Sequence, residues 1–418
     1  MDKFIIDGPT KLNGEVDISG SKNAALPILT ACLGKPGIYI LKNVPNLRDT
    51  RTMLKLLEII GCKINHQPKA IIIDSNNCNN PEAPYELVRK MRASVLVLGP
   101  LLARFGSAVV SLPGGCAIGT RPVEMHLDAL SKMGVTFDIQ NGYISANCSR
   151  LIGCEISFPK TTVTGTENIL MASTLAEGKT VITNAAREPE VVDLANFLNE
   201  MGAEITGHGT DVIEVKGVKS LRGVSYSALP DRIETGTFLV AAAITGGEIT
   251  IKNTISNHVA IIIEKLRQSG AIIDSTDSSI TLNMQGKRPK AVNIETGAYP
   301  LFPTDMQAQL TALNTIASGT SIIKENIFEN RFMHIQEMSR MGAEIKLEQN
   351  CAIISGKDEL IGASVMATDL RASASLILAG LVAKGTTEIE RIYHIDRGYD
   401  CIEEKLQQLG ADIHRMPM

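Results

Sequence analysis

The sequence predicts an α/β fold of two domains, each built from three copies of one unit with apolar helices inside and sheets outside. Three observations support this prediction. A glycine-capped helix followed by a β-prone run recurs six times, as in LLEIIGCKI and FLNEMGAEI. A more apolar helix, such as SASLILAGLVA, precedes each copy. The chain of 418 residues is also too long for one ordinary hydrophobic core.

The repeated glycines define the length of the unit. They stand 68 to 73 residues apart, at Gly61, Gly134, Gly202, Gly270, Gly342 and Gly410. A glycine directly after a helix is typical of a left-handed C-cap, and the β-prone run after it predicts a strand. Six units divide naturally into three plus three, since one such unit cannot bury its apolar face alone.

Each unit reads as helix, strand, helix, strand, with the last strand often entering a hairpin. The clearest hairpin is FDIQNGYISA, in which Asn141 and Gly142 supply the two positive-φ positions of a tight turn. The most apolar helices are predicted to form each interior. The junction between the domains is predicted near residues 217–231, where VKGVKSLRGV gives way to SALPDRIETG.

Composition and charge restrict the function classes. A net charge of −4 argues against nucleic acid as a partner but allows an anionic small substrate in a positive cleft. The start MDKFIIDGPTKLNGEV lacks the features of a signal peptide, and no apolar run is long enough to span a membrane, so we expect a cytoplasmic protein. The eight cysteines form no CxxC pair and the histidines no ligand spacing, so we expect reduced thiols and no metal.

Charged residues cluster where the first helix of each unit begins. Serine, threonine and aspartate at such positions are usually N-caps, each stabilising by about 1 kcal/mol. Cations there oppose the helix dipole, so capping does not explain Lys22, Arg92, Arg232 and Arg371. Their recurrence indicates that an anion, a phosphate or a carboxylate, binds between several helix N-termini.

The stretch SLPGGCAIGTR (111–121) places Cys116 in a glycine-rich loop. Free cysteine is among the most buried residue types, so a packed thiol is one interpretation of Cys116. A reactive loop thiol is the other. The residues themselves leave both open.

With SGSKNAALP, TGTEN, ENIFENRFMH and ATDLRASASLILAGL, the stretch PGGCAIGTRPVEMHL makes the resemblance specific. The chain resembles the enolpyruvyl transferases, and among them the branch that acts on UDP-N-acetylglucosamine at the start of peptidoglycan synthesis. The likeness runs over essentially the whole chain. The cysteine loop distinguishes this branch from the shikimate-pathway branch.

The resemblance implies two inside-out α/β barrel domains of three units each. The first domain would comprise residues 22–229 and carry the Cys116 loop. Residues 1–21 would join residues 230–418 in the second domain, which would carry Asp305, Asp369 and Arg397. The resemblance implies no cofactor, no metal and no membrane insertion. The substrates would be phosphoenolpyruvate and UDP-N-acetylglucosamine. The sequence gives no indication of protein partners.

The resemblance also implies roles for individual residues. Cys116 would form an adduct with phosphoenolpyruvate, act as the acid, and be the target of fosfomycin. Asp305 would be the base at the sugar 3′-hydroxyl, and Asp369 would assist proton movement. Lys22, Arg121 and Arg397 would clamp the phosphate, while Arg331 and Arg371 would bind the carboxylate. The sugar nucleotide would be bound by Asn23, Arg92, Arg121, Pro122, Val123, Glu124, Met125, Lys160, Thr162, Val163, Ile327 and Phe328, with Lys22, Asp305, Arg331, Arg371 and Arg397 contacting the substrates.

One departure from the family pattern stands beside these residues. Many members carry Ser-Val-Gly-Ala where this chain has Thr162, Val163, Thr164 and Gly165. Thr162 keeps the hydroxyl, but the departure puts the backbone contact expected at residue 164 in doubt. Two alternatives stay open: a shikimate-type enolpyruvyl transferase, and a catalytically silent paralogue that binds a UDP-sugar and regulates a partner.

Overall fold

The computed structural model describes residues 2–89, 91–112 and 123–417. Within these residues the chain forms two compact units. The continuous unit comprises residues 20–229 and the split unit comprises residues 2–19 and 230–417, apart from the residues not described. Each unit has one contiguous hydrophobic core of its own.

The chain begins with two strands of the split unit, β1 (Asp2–Gly8) and β2 (Asn13–Asp17). The continuous unit follows. Its helices are α1 (Lys22–Ala31), α2 (Arg48–Ile60), α3 (Tyr85–Val88), α4 (Leu98–Phe105), α5 (Glu124–Lys132), α6 (Val163–Ser173) and α7 (Pro189–Glu200), with a 3-10 helix at Arg92–Val97. Its strands are β3 (Ile38–Lys42), β4 (Lys63–Gln67), β5 (Ala70–Asp74), β6 (Glu82–Ala83), β7 (Ser107–Ser111), β8 (Thr136–Gln140), β9 (Tyr143–Asn147), β10 (Glu155–Ser157), β11 (Lys179–Thr183), β12 (Glu204–Thr206), β13 (Val212–Lys216) and β14 (Ser225–Ser227).

The remainder of the split unit repeats this arrangement. Its helices are α8 (Arg232–Ile244), α9 (Ala260–Gln268), α10 (Gln307–Ile316), α11 (His334–Arg340), α12 (Leu370–Val382) and α13 (Ile402–Gln408), with 3-10 helices at Ser256–Val259, Thr304–Met306 and Ile392–Arg397. Its strands are β15 (Glu248–Lys252), β16 (Ile272–Ser275), β17 (Ser279–Asn283), β18 (Ile294–Glu295), β19 (Thr320–Lys324), β20 (Glu344–Glu348), β21 (Cys351–Ser355), β22 (Leu360–Ile361), β23 (Ser364–Met366), β24 (Ala383–Glu390) and β25 (Asp412–Pro417).

The repeated unit contains one element that the sequence did not predict, a short strand before the first helix. In the third unit, β10 pairs in parallel with β11 on the other side of α6. After α7, β12 and β13 form an antiparallel hairpin, and β13 also pairs with β11. The order β10-β11-β13-β12 recurs as β6-β7-β9-β8 and β18-β19-β21-β20. In these three units the extra strand has only two or three residues, too few to show an alternating pattern.

Three strands complete sheets far from their sequence neighbours. β2 precedes α1 but pairs in parallel with β15 of the split unit. The equivalent strand of the other unit, β14, precedes α8 but pairs in parallel with β3 of the continuous unit. β1 lies between β24 and β25, antiparallel to both, and fills the sheet of the sixth unit.

The first helix of each unit is an inner helix, as predicted from its apolar sequence. All thirteen residues of α8 are buried, as are eleven of the thirteen in α12. Inner helices α10 and α12 pack against each other, as do α4 and α6. Outer helices such as α2 bury one face, which includes Met53, Leu57 and Ile60. Each such aliphatic side chain stabilises the fold by about 1.5–3 kcal/mol when fully buried.

The six repeated glycines all lie where the helix ends, with φ between 92° and 112°. The predicted left-handed ends are therefore confirmed. The predicted hairpin is confirmed as well: Asn141 and Gly142 have φ of 52° and 79° and join β8 to β9. Among the described residues, no helix is both long and apolar enough to span a bilayer.

Candidate functional site

The N-termini of the inner helices in the split unit each carry an aspartate. Asp369 caps α12, since its Oδ1 accepts hydrogen bonds from the N–H groups of Arg371 (2.8 Å) and Ala372 (3.0 Å). Asp231 caps α8 in the same way, through the N–H groups of Ile233 and Glu234. These two carboxylates therefore have the ordinary capping role that the sequence left as one alternative.

Asp305 differs, because its carboxylate faces two guanidinium groups. The residue lies in the 3-10 turn that leads into α10. Its Oδ1 accepts a hydrogen bond of 2.7 Å from Arg331 Nη2, and its Oδ2 accepts one of 3.3 Å from Arg371 Nε. Both arginines are buried, whereas the Asp305 side chain is 27% exposed. Two buried cations thus hold a carboxylate that remains accessible.

Tyr399 and Gln309 fix the position of Arg371. The Arg371 guanidinium carbon lies 5.2 Å from the centre of the Tyr399 ring, a cation–π arrangement. The Tyr399 hydroxyl is 2.9 Å from Thr237 Oγ1, and Gln309 Nε2 donates to both of these oxygens. Gln309 Nε2 also lies 3.0 Å from the main-chain oxygen of Asp305. One buried network therefore positions the base candidate and its cation together.

Glu325 fixes the other side of this cluster. Its carboxylate accepts hydrogen bonds from the Thr304 hydroxyl and from the N–H groups of Ile327 and Phe328. Thr304 in turn accepts a 2.8 Å hydrogen bond from Arg331 Nη1, and the Arg331 guanidinium lies over the Phe328 ring. The predicted residues Ile327, Phe328 and Arg331 thus lie around Asp305 because Glu325 organises the loop.

Arg397 lies near the start of α12 in the fold, although it follows the end of that helix in the sequence. It is the half-buried last residue of the 3-10 helix Ile392–Arg397. The next residue, Gly398, packs so closely on Leu370 that an added Cβ would lie 2.4 Å from Leu370 Cδ1. Tyr399, which supports Arg371, follows directly. The chain therefore brings Arg397 and Arg371 to the same end of α12.

In the continuous unit, Lys22 is the first residue of α1 and pairs with a carboxylate of α2. Lys22 Nζ lies 3.3 Å from Asp49 Oδ2, and the side chains are 13% and 5% exposed. This pair partly answers the puzzle of cations at helix N-termini. Lys22 lies beside Asp49, and Arg371 lies beside Asp305. The protein itself therefore supplies part of the negative charge that the sequence analysis assigned to a ligand.

The N-terminus of α6 carries Thr162, Val163, Thr164 and Gly165. Thr162 caps the helix by accepting a hydrogen bond of 3.2 Å from the Gly165 N–H. The Thr164 hydroxyl lies 3.3 Å from Nε2 of His126 in α5. Burial, together with the nearby charge of Arg92, lowers the pKa of His126 to about 4, so its ring is neutral at physiological pH.

Asn168 determines which nitrogen of His126 carries the proton. Asn168 Oδ1 accepts the Gly99 N–H at 2.7 Å, so its Nδ2 is the donor to Val95 O and to His126 Nδ1 at 3.0 Å. His126 Nδ1 is therefore the acceptor, and Nε2 carries the hydrogen that Thr164 accepts. The hydroxyl proton of Thr164 is directed away from His126 as a result.

The other predicted site residues fall into three groups: half-buried, exposed and not described. Val163 and Met125 are half-buried and pack against the core, Asn23, Arg92 and Val123 are half-buried, and Glu124 and Lys160 are exposed. Cys116, Arg121 and Pro122 lie outside the described residues. Among the residues that the structure describes, no cluster of three histidine, cysteine, aspartate or glutamate side chains is arranged to hold a metal ion.

Sequence reasoning missed Asp49, Glu325, Tyr399, Gln309 and His126. Each makes a hydrogen bond, an ion pair or a ring contact with a residue elsewhere in its own unit, and none lies in a recognisable local pattern. Only Asp49 had a signal, because a cation at a helix N-terminus such as Lys22 requires an anionic partner.

Comparisons with known proteins agree over the whole chain. Residues 6–406 match the family described as EPSP synthase (3-phosphoshikimate 1-carboxyvinyltransferase). The chain is 56% identical over 416 residues to UDP-N-acetylglucosamine 1-carboxyvinyltransferase of Hydrogenovibrio crunogenus (strain DSM 25203 / XCL-2), covering 99% of this chain and 100% of that relative.

Solved structures agree on the architecture. The crystal structure of the enolpyruvyl transferase NikO from Streptomyces tendae matches with a TM-score of 0.90 at 24% identity over 99% of both chains. EPSP synthase from Acinetobacter baumannii matches with a TM-score of 0.78 at 19% identity over 100% of both chains. These similarities confirm the predicted two-domain inside-out α/β fold.

Proposed function

Because the chain belongs to the enolpyruvyl transferase family, we propose that it transfers the enolpyruvyl group of phosphoenolpyruvate to the 3′-hydroxyl of UDP-N-acetylglucosamine. Phosphate is the second product. The observation that carries this proposal is the 56% identity over the full length of a relative named for that substrate. The carboxylate of Asp305, held between two buried guanidinium groups, supports it.

The reaction proceeds by addition and elimination through a tetrahedral ketal. The sugar oxygen bonds to C2 of phosphoenolpyruvate while the methylene carbon gains a proton and becomes a methyl group. The bond between C2 and the phosphate oxygen then breaks, and the methyl group loses a proton to restore the double bond. The site must supply a base near the hydroxyl, a proton donor near the methylene carbon, and cations for both anionic groups.

Asp305 is the base in this proposal. Arg331 and Arg371 hold its carboxylate in place, and its partial exposure leaves it accessible to a sugar hydroxyl. Asp369 assists proton movement from its position at the start of α12, where one of its oxygens also caps the helix.

Arg371 and Arg331 bind the carboxylate of phosphoenolpyruvate, while Lys22, Arg121 and Arg397 bind its phosphate. Arg371 supports the assignment, because its buried Nη1 has no hydrogen-bond partner among the described atoms. A buried charged donor without a partner costs about 1–3 kcal/mol, which an anionic ligand would recover. Such charge-assisted bonds contribute about 1.5–3 kcal/mol each.

Cys116 is the acid and the residue that forms an adduct with phosphoenolpyruvate, and fosfomycin would label it. Glycines precede it at positions 114 and 115, and Gly119 follows, which suits a loop that folds over bound substrates. The cationic side chains of Lys22 and Arg121 would favour its thiolate for attack, whereas its role as acid needs the thiol.

Thr162, Val163 and Ile327 contact the sugar nucleotide in this proposal. Thr162 and Val163 begin α6, where unpaired N–H groups favour an anion such as a diphosphate. The remaining proposed contacts with the sugar nucleotide come from Asn23, Arg92, Arg121, Pro122, Val123, Glu124, Met125, Lys160 and Phe328. The enzyme would act in the cytoplasm, at the first committed step of peptidoglycan synthesis, and so in growth and division of the cell wall.

The test is release of phosphate from phosphoenolpyruvate with different acceptors. We expect release only when UDP-N-acetylglucosamine is also present. Release with shikimate 3-phosphate instead would replace this proposal by the shikimate-type alternative. Tight binding of UDP-N-acetylglucosamine without any release would indicate the silent regulatory paralogue.

A further inference from the structure

Two cysteines of the continuous unit lie in direct contact away from the candidate site. Cys62 follows the end of α2, and Cys78 lies in the loop between β5 and β6. Their Sγ atoms are 3.1 Å apart, closer than the sum of two sulfur van der Waals radii. Both side chains are buried and both thiols are free. A disulfide would require the sulfur atoms to approach by about 1 Å more.

The backbone already holds the two cysteines at this distance. A Cβ added to Gly61 would lie 3.0 Å from Cys78 Cα, so the two chain segments touch. The N–H groups of Asn79 and Asn80 both donate to Ile60 O at the end of α2. No large rearrangement of the chain is therefore needed to bring the two sulfur atoms into bonding distance.

Arg104 fixes the loop from its other side. Its Nη2 donates to Ser75 O (2.9 Å) and to Cys78 O (3.3 Å). A guanidinium beside Cys78 favours the thiolate, which is the nucleophilic form. The flanking residues Asn77 and Asn79 are exposed, so Cys78 lies one side chain below the surface.

We propose that Cys62 and Cys78 form an oxidative modification site, at which a hydroperoxide converts the two thiols into an internal disulfide. The site is separate from Cys116 and does not depend on the proposed transferase function.

The order of the chemistry follows from the surroundings of the two thiols. The hydrogen bond between them, together with Arg104, lowers the pKa of Cys78, whereas that hydrogen bond and burial raise the pKa of Cys62. The Cys78 thiolate attacks the outer oxygen of the peroxide and becomes a sulfenic acid, and an alcohol or water leaves. Cys62 then attacks the Cys78 sulfur, the S–S bond forms, and water leaves. Two thiols thus give two electrons, and one peroxide accepts them.

The disulfide would link the end of α2 to the loop before β6. Because the cross-link restricts the unfolded chain, it should raise the midpoint of thermal unfolding by several degrees. Asp49, the partner of Lys22, lies at the opposite end of α2. We therefore expect little effect of the disulfide itself on catalysis.

The test treats the full-length protein with one equivalent of hydrogen peroxide and maps the cysteines by differential alkylation and mass spectrometry. We expect a peptide pair joined through Cys62 and Cys78, which a thiol reductant separates. Recovery of both as free thiols while other cysteines are oxidised would overturn the proposal, as would a disulfide from Cys78 to a different cysteine.

Variants test the order of events. In Cys62→Ser, Cys78 should stop at the sulfenic acid and react with a 1,3-dione probe, whereas Cys78→Ser should leave Cys62 unoxidised. Cys32→Ser is the matched control, because Cys32 is fully buried and its Sγ bonds to Ile28 O. It should keep the Cys62–Cys78 disulfide. A dione adduct on Cys62 in Cys78→Ser would contradict the assignment of Cys78 as the first thiol oxidised.

Discussion

Arg371 illustrates how individual residues depend on partners that the sequence does not reveal. Its guanidinium is buried at the start of α12, held by Asp305 on one side and the Tyr399 ring on the other. Tyr399 itself is fixed by Thr237 and Gln309. Tyr399 is therefore a positioning residue, which acts on the substrate through Arg371.

We expect Tyr399→Leu to weaken use of phosphoenolpyruvate by about tenfold in kcat/KM, because a buried cation–π contact contributes up to about 2 kcal/mol. Tyr399→Phe keeps the ring and loses only the hydroxyl, so its effect should be smaller. Steady-state kinetics with varied phosphoenolpyruvate measures both variants. Equal values for Tyr399→Leu and the unaltered protein would show that the ring does not position Arg371.

Thr164 makes a structural contact that the sequence did not predict. Thr164→Val removes the acceptor for the His126 Nε2–H and leaves a buried donor unpaired. The free energy of unfolding should fall by about 1–3 kcal/mol, measured by urea denaturation. Thr161→Val is the control, because the Thr161 hydroxyl contacts Asn184 near the surface. This substitution should lower the free energy of unfolding by a smaller amount. Equal losses in the two variants would argue against the His126 contact.

At the scale of elements, the repeated helix end was the most predictable feature. The positive φ after each of these helices is a local conformation that glycine adopts readily, so the residue type alone predicts it. Gly202 has φ of 105° and nothing within 4 Å of an added Cβ, so backbone conformation alone governs substitution there.

Gly202→Ala should therefore lower the free energy of unfolding by about 1 kcal/mol, the cost of a left-handed conformation for a residue with a Cβ. Gly202→Asn should cost less, since asparagine adopts this conformation more readily. Urea denaturation of both variants measures the difference. A larger loss for asparagine than for alanine would contradict the role of backbone conformation.

The pairing of β1, β2 and β14 was not predictable from local patterns. Each strand pairs with a partner remote in sequence, and β14 has only three residues. The inner helices were predictable because burial on all sides leaves a continuous apolar run. The site likewise contains some residues that local patterns predict and others that they do not. Asp305 and Arg371 stand at recognisable helix starts, whereas Glu325, Gln309 and Tyr399 reach the site only through tertiary packing.

At the scale of the whole molecule, each unit contains a buried neutral histidine. His126 lies in the continuous unit and His334 in the split unit, and burial lowers the pKa of each to about 4. Neither nitrogen of His334 has a hydrogen-bond partner among the described atoms. The unfolded chain, with a histidine pKa near 6.5, binds more protons between pH 4 and 6.5 than the folded chain does. Stability therefore falls as the pH falls through this range.

Between pH 7 and pH 5, each histidine should reduce the free energy of unfolding by about 2 kcal/mol. His334→Leu should remove its share of this loss without leaving a new unpaired polar group. Urea denaturation at the two pH values measures the change. An unaltered pH dependence in His334→Leu would show that His334 is protonated as readily in the folded protein as in the unfolded chain.

The central claim is that Asp305, held between Arg331 and Arg371, is the base of enolpyruvyl transfer. The most direct measurement compares phosphate release by Asp305→Ala with that of the unaltered protein at saturating substrates, with UDP-N-acetylglucosamine binding measured by calorimetry. We predict that the variant still binds the sugar nucleotide but loses most of its turnover. A near-normal rate of phosphate release would contradict the account.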